Sequence, residues 1–397
     1  MIKNKIKELA AKYSDEFINI RHHLHANPEL SFNEFETSKF VQQKLSGWDI
    51  SYEIMAATGV VGFIKGKKSK DKTIALRADM DALPITELND IDYRSKNAGV
   101  MHACGHDVHT TCLLGAAKIL NELKDELDVD VRLIFQPGEE KNPGGASLLI
   151  KEGVLENPKP DAIFALHVNP SLPVGKFSFR SGMVMASADE IYITIKGKGG
   201  HAAAPNLTVD TILTASQLVV NLQQVISRMN NPFNPSVLSI TSIQGGNTTN
   251  VIPSEVKLIG TFRAMNEEWR FKAHTLIKNI CKSTAEISGA EIDIHIDVGY
   301  PFVMNNEQLT AAAKRKAIEF AGSENVEETE MRMGAEDFAF YSHIIPACFF
   351  RLGVANKEKN ITSGVHTPTF NIDEAAIENG IGIMAWLTAS ASVLGVP

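Results

Sequence analysis

The sequence predicts an α/β fold: a mostly parallel sheet flanked by helices, with an inserted ferredoxin-like α+β domain. Three observations lead there. Short apolar runs alternate with helical patterns through the first half of the chain. Near residue 185 the pattern turns to alternating strands and two long helices, and after residue 298 a helix-and-strand mixture returns. A chain of 397 residues suits two or three domains. Residues 1–184 and 299–397 therefore read as one domain, and 185–298 as an insertion within it.

The elements follow in order. Ile2, Ile6, Leu9, Tyr13, Phe17, Ile20 and Leu24 recur at spacings of three and four, the stripe of an amphipathic helix. Charges from Lys3 through Glu8 rule out the apolar core of a signal peptide. Thr73 to Ala78, Val129 to Phe135 and Ala162 to Leu166 are apolar runs of strand length. Leu113, Ala116, Ala117, Leu120 and Leu123 make one helix face between the first two. Strands alternating with helices imply a parallel sheet. In the insertion, Ile191, Ile193 and Ile195 alternate with polar residues. Val209 to Met229 is helical, Val237 to Ile243 and Glu255 to Phe262 are strands, Asn266 to Ile287 is helical and Ile292 to Ile296 alternates again. This is the order β-α-β-β-α-β of a split βαβ unit.

Composition excludes several classes of function. The chain is 44% hydrophobic and 22% charged, with a net charge of -8 spread over both signs. No basic stripe is present, so nucleic acid is not expected as the main ligand. The uncharged stretch Asn379 to Pro397 holds three glycines as well as Thr388, Ser390 and Ser392, and reads as a buried C-terminal helix rather than a membrane anchor. The four cysteines form no CxxC pair, which suits reduced thiols and a cytoplasmic location.

Polar residues gather at the predicted strand ends, where open α/β sheets bind ligands. Asp79 and Asp81 follow the first strand, Glu139 and Glu140 follow the second behind Pro137-Gly138, and His167 ends the third. Cys104 and His106, two apart in MHACGHDVH, offer a thiolate and an imidazole that suit a borderline-soft divalent ion. A two-metal hydrolase needs five or six protein ligands, an open position for water and one carboxylate left over to take the water's proton. The Glu139-Glu140 pair can supply a ligand and a base. His102 and His109 flank the key pair as supporting groups. His22, His23 and His25 read as capping and packing residues around Pro28, and His274 and His295 as structural. Cys104 could instead be a nucleophile in a metal-free hydrolase, and a binding protein on the same fold is a further alternative.

MHACGHDVH, QPGEEK, ALHV and GVHTPTF, with HHLHANPELSFNE, RADMDALP, GKGGHAAAP, GGNTTNVIP and GTFRAMN, together resemble the amidohydrolase branch of the carboxypeptidase G-like metallohydrolases. That branch includes hippurate hydrolases, N-acyl-amino-acid amidohydrolases and plant auxin-conjugate hydrolases. The resemblance implies a hydrolase that cleaves the amide bond of N-acyl amino acids, with a dipeptidase or carboxypeptidase as the alternative. It implies two divalent ions, manganese or zinc, held by Cys104, His106, Glu140, His167 and His366, with Glu139 as general base. It also implies that the insertion is a lid that forms a homodimer. In that lid His201 would donate to the developing oxyanion, and Asn250 and Arg263 would bind substrate. Peptidase relatives carry a histidine where Asp79 stands, so the part played by Asp79 and Asp81 is left open.

Overall fold

The computed structural model describes residues 2–391. The described residues divide into two compact units, one of those up to Val184 with 304–330 and those from Asp337 onward, the other of residues 185–303 and 331–336. The insertion thus closes at Val303 rather than at 298. The reason is hydrogen bonding: Ala188 N–H donates to Tyr300 O at 3.0 Å, and Phe302 N–H donates to Glu267 Oε1 at 3.3 Å. Residues 331–336 join the second unit because Ala186 N–H bonds to Arg332 O and Gly334 O.

The first unit holds an eight-stranded sheet in the order Ser51–Met55, Gly59–Ile64, Asp130–Gln136, Thr73–Asp79, Ala162–Pro173, Ala347–Ala355, Phe177–Phe179, Val326–Glu328. Its four central strands are mutually parallel. Every residue of Thr73–Asp79 and Asp130–Gln136 is buried, as expected for a sheet covered on both faces. The helices Ile2–Ala26, His106–Glu122 and Ala375–Ala389 pack together over one shared core. No described helix is long and apolar enough to cross a membrane. The last residues of the uncharged C-terminal stretch lie outside the described part.

Register brings the polar strand ends level. Asp79 pairs with Gln136, and Arg77 pairs with Ala165, which puts His167 beside Asp79 along the sheet direction. The turn Pro137–Glu140 therefore leaves the sheet at the same edge as Asp79 and His167. Gly105 carries Cys104 and His106 to that edge. Its φ is 85°, and a Cβ there would stand 2.6 Å from Val168 Cγ2, so only glycine allows this approach. Gly145 plays a similar part for the acidic turn: a Cβ would lie 1.7 Å from Pro137 O.

The second unit has a four-stranded antiparallel sheet, ordered Ser236–Gln244, Glu255–Ala264, Asp189–Lys196, Glu291–Val298. The helices Thr211–Leu222 and Glu267–Ser288 cover it, burying Ile191, Ile193, Leu218, Leu258 and Ile277. Each begins at a capping side chain: Asp210 accepts from Leu213 N–H and Asn266 from Trp269 N–H. The first helix is shorter than the run 209–229 suggests, because Val225–Met229 winds as a wide π turn. His274 is structural. Its Nε2 lies 2.8 Å from Asp189 Oδ2, which also receives Arg270 Nε at 2.9 Å.

Candidate functional site

In the first unit the five ligand candidates converge. Cys104 Sγ is 3.5 Å from His167 Nε2 and 3.2 Å from His366 Nε2. His366 Nε2 is 3.3 Å and His106 Nε2 4.0 Å from Glu140 Oε1. Donor atoms of Cys104, His106 and His167 lie within 4.8 Å of one another, as do those of Cys104, Glu140 and His366, and those of His106, Glu139 and Glu140. Cys104 belongs to both of the first two groups. Cys104, His106, Glu139 and His167 are buried, whereas the His366 side chain is 52% exposed.

The surrounding hydrogen bonds aim these side chains. His106 Nδ1 faces Asp81 Oδ1 at 3.2 Å, and His167 Nδ1 donates to Val168 O at 2.8 Å. Each ring then points Nε2 at the cluster, the usual arrangement behind a metal-ligating histidine. Asp81 Oδ2 also accepts from Glu140 N–H at 2.9 Å, so one carboxylate holds two candidate ligands. Asp79 is occupied on both oxygens, by His109 Nδ1 at 2.6 Å and Arg77 Nη1 at 2.6 Å. His109 Nε2 in turn accepts from Val168 N–H at 3.0 Å. With both nitrogens engaged, His109 braces the strand that carries His167. Asp337 completes this support. It receives Arg77 Nη2, Gln136 Nε2 and Ala146 N–H, tying the sheet to the helix that follows the acidic turn.

The charges call for a cation. Asp79, Asp81 and Glu140 each stand within 4.0 Å of a buried His106 ring nitrogen, and Glu139 shares a donor group with His106 and Glu140. Burial works against the His106 imidazolium, yet Asp79, Cys104 and Asp81 raise it well above its ordinary value. Burial lowers His167, helped by His109 and Arg351. Burial and then Glu140 push the Cys104 thiol up to about 12. His106 Nε2 and Glu140 Oε1 are buried with no hydrogen-bond partner among the described residues. Buried polar atoms are seldom left so, and a divalent ion would satisfy both. The donor set of thiolate, imidazole and carboxylate fits such an ion.

His25 packs into the interior at the end of the first helix. It is fully buried, with Nδ1 at 2.8 Å from Asp107 Oδ2 and Nε2 at 3.1 Å from Glu87 Oε1, beside Arg21. His22 stacks on Tyr93 and His23 on Phe40. His102 is buried, and burial pulls it down to about 4, so it is neutral.

The other three candidates lie in the second unit. His201 is exposed on a two-stranded ribbon where Gly200–His201 pairs with Val251–Ile252, and Ala202 N–H donates to Asn250 O at 3.0 Å. Ala203 N–H donates to His201 Nδ1 at 3.0 Å, which leaves Nε2 as the protonated nitrogen of the neutral ring. Arg263 lies on a central strand. Its Nε donates to Thr261 Oγ1 at 3.2 Å, and no acid pairs with it among the described residues. Burial pulls its guanidinium down despite the fields of Asp189 and Glu190.

Residues 75–389 match peptidase family M20/M25/M40. An IAA-amino acid hydrolase of Arabidopsis thaliana is 40% identical over 94% of this chain and 86% of its own. An N-acetylcysteine deacetylase of Bacillus subtilis is 40% identical, covering 91% and 92%. A thermostable carboxypeptidase of Saccharolobus solfataricus is 39% identical, covering 96% and 95%. Among solved structures, a Bacillus subtilis dinuclear metal-binding peptidase of the M20 family superposes with a TM-score of 0.81 at 34% identity, covering 96% of this chain and 99% of the other.

Proposed function

Because this chain belongs to peptidase family M20/M25/M40, and so is a hydrolase of amide or peptide bonds, we propose that it cleaves N-acyl amino acids to a carboxylic acid and a free amino acid. The observation that carries this reading is the cluster of Cys104, His106, Glu140, His167 and His366 with the Glu139 carboxylate beside it. These five would hold two divalent ions, manganese or zinc. When bound, such ions acidify water and polarise the scissile carbonyl. Glu139 takes the proton of the attacking water and passes it to the departing amine. His201, with its proton on Nε2, donates to the oxyanion. Asn250 and Arg263 bind the far end of the substrate.

The substrate class rests on Arg263. A planar guanidinium fork suits a carboxylate, and this one is half-buried with no acidic ion-pair partner among the described residues. An N-acyl amino acid should be hydrolysed roughly thirty-fold faster than its carboxamide, about 2 kcal/mol, the lower end for a truncated charge pair because the arginine is only partly buried. Arg263→Ala should erase most of that ratio with metal content unchanged. Equal wild-type rates on acid and amide would sink the carboxylate argument. A dipeptide bears the same carboxylate, so rates on dipeptides measured in parallel separate an acylase from a dipeptidase or carboxypeptidase.

The second unit is a lid through which the chain forms a homodimer, and the enzyme is cytoplasmic. Four buried cysteines, none in a disulfide, support a reducing compartment. Light scattering at micromolar concentration should give a dimer mass, and a monomer mass would overturn the dimer. Mixing inactive His201→Ala with inactive Glu139→Ala protein restores activity only where His201 serves the partner's site. No recovery after confirmed subunit exchange assigns it to its own chain.

A further inference from the structure

The motif ELSFNE lies outside the site described above, yet its last residue reaches it. Glu34 is fully buried. Its Oε1 accepts from Phe32 N–H and Gly138 N–H, both at 2.8 Å, and its Oε2 accepts from the Thr58 hydroxyl at 2.8 Å. Gly138 immediately precedes Glu139. The Phe32 ring closes the same turn: a Cβ on Gly138 would stand 2.3 Å from Phe32 Cε1. Ser31 donates to Asp81 Oδ2 at 2.6 Å, the oxygen that also accepts from Glu140 N–H. The loop Ser31–Glu34 thus grips the acidic turn twice, at Gly138 directly and at Glu140 through Asp81.

We propose that Glu34 is a positioning residue that holds the Pro137–Gly138 turn so that Glu139 and Glu140 meet His106 and His366. The proposal rests on the reading of that cluster as a metal centre. Energetics point the same way. Burial, and then the Asp81 charge, push the Glu34 carboxyl up to about 7. Its other contacts, Thr58, Phe32 and Gly138, are neutral donors, and Glu139 and Glu140 follow in the same turn. Keeping an ionisable group here is unfavourable for the fold, which argues that the contacts it makes serve the site.

The test compares wild type, Glu34→Ala and Glu34→Gln. Manganese chloride is titrated calorimetrically into chelated protein, and kcat and KM are measured on an N-acetyl amino acid. Glu34→Ala should weaken manganese binding or lower kcat by roughly 10–100-fold, with KM little changed. Glu34→Gln should stay within about threefold, because its amide oxygen accepts both N–H groups and its NH2 donates to Thr58. A third readout needs neither metal nor substrate. The folded pKa is raised above the ordinary 4.5, so stability from this group is full below that value and is lost as pH rises through about 7. The stability of metal-free Glu34→Gln relative to wild type should therefore grow from pH 5 to pH 8. This readout still decides if Glu34→Ala fails to fold. Wild-type behaviour of Glu34→Ala, a Gln variant as damaged as the Ala variant, or a pH-independent gap would each overturn the proposal. If the wild type cleaves no N-acyl amino acid, the functional reading fails, and the manganese titration and the pH series still judge Glu34.

Discussion

Glu139→Gln should lower turnover by roughly 10²–10⁴-fold, the range typical of a lost general base, and leave the metal content as it was. Glu140→Gln should lower the metal content itself. The two residues are adjacent in sequence and follow the same strand, so the contrast depends on where their side chains stand. Glu140 Oε1 faces His366 Nε2 at 3.3 Å and His106 Nε2 at 4.0 Å, so it stands between two imidazoles. Its backbone N–H is fixed by Asp81, the carboxylate that also orients His106. Loss of its charge removes a ligand from the group that contains Cys104 and His366. Glu139 is buried beside His106 and Glu140 but belongs to neither group that contains Cys104. Metal analysis and single-turnover kinetics on both variants check the assignment. Equal metal loss in the two would show that base and ligand have been confused.

The parallel core was legible because its strands are buried on both faces and so read as unbroken apolar runs. The convergence of Asp79, Glu139 and His167 was legible too, since parallel strands in register bring their carboxyl ends to one edge. Other features leave little local trace. The hairpin Ser51–Met55 with Gly59–Ile64 gives a weak signal, because its outer strand is short and almost wholly exposed. His366 sits in an irregular loop with φ at 60°, reachable from the sequence only through family resemblance. The support around Asp79 joins Arg77 to Asp337, 260 positions away, and no spacing rule connects such residues. His25 was legible only in part, for a related reason. At the end of a helix before Pro28 it looks like a cap, and only the folded chain puts Asp107 and Glu87 against it.

Exhaustive chelation should abolish hydrolysis, and manganese or zinc should restore it with two ions bound per chain. Without metal the pocket is poorly satisfied. Among the described residues His106 Nε2 and Glu140 Oε1 lack hydrogen-bond partners, although Asp79, Asp81 and Glu140 all stand within 4.0 Å of the His106 ring nitrogens. Protons therefore stand in for the metal. His106 is raised well above its usual value once the pull of Asp79, Cys104 and Asp81 exceeds the effect of burial, and the Cys104 thiol is held protonated by burial and Glu140. Metal binding must displace these protons, so affinity should rise with pH between 6 and 8, and buffered titrations should detect proton release. Bound metal should also stabilise the fold. At a free concentration of about one hundred times Kd the gain is about 2.7 kcal/mol, roughly 5 °C in the melting temperature for a unit of this size. A metal-free protein with full activity would instead promote Cys104 as the nucleophile. Its chemistry argues against that outcome, because burial and Glu140 push the thiol up to about 12, which leaves almost no thiolate at neutral pH.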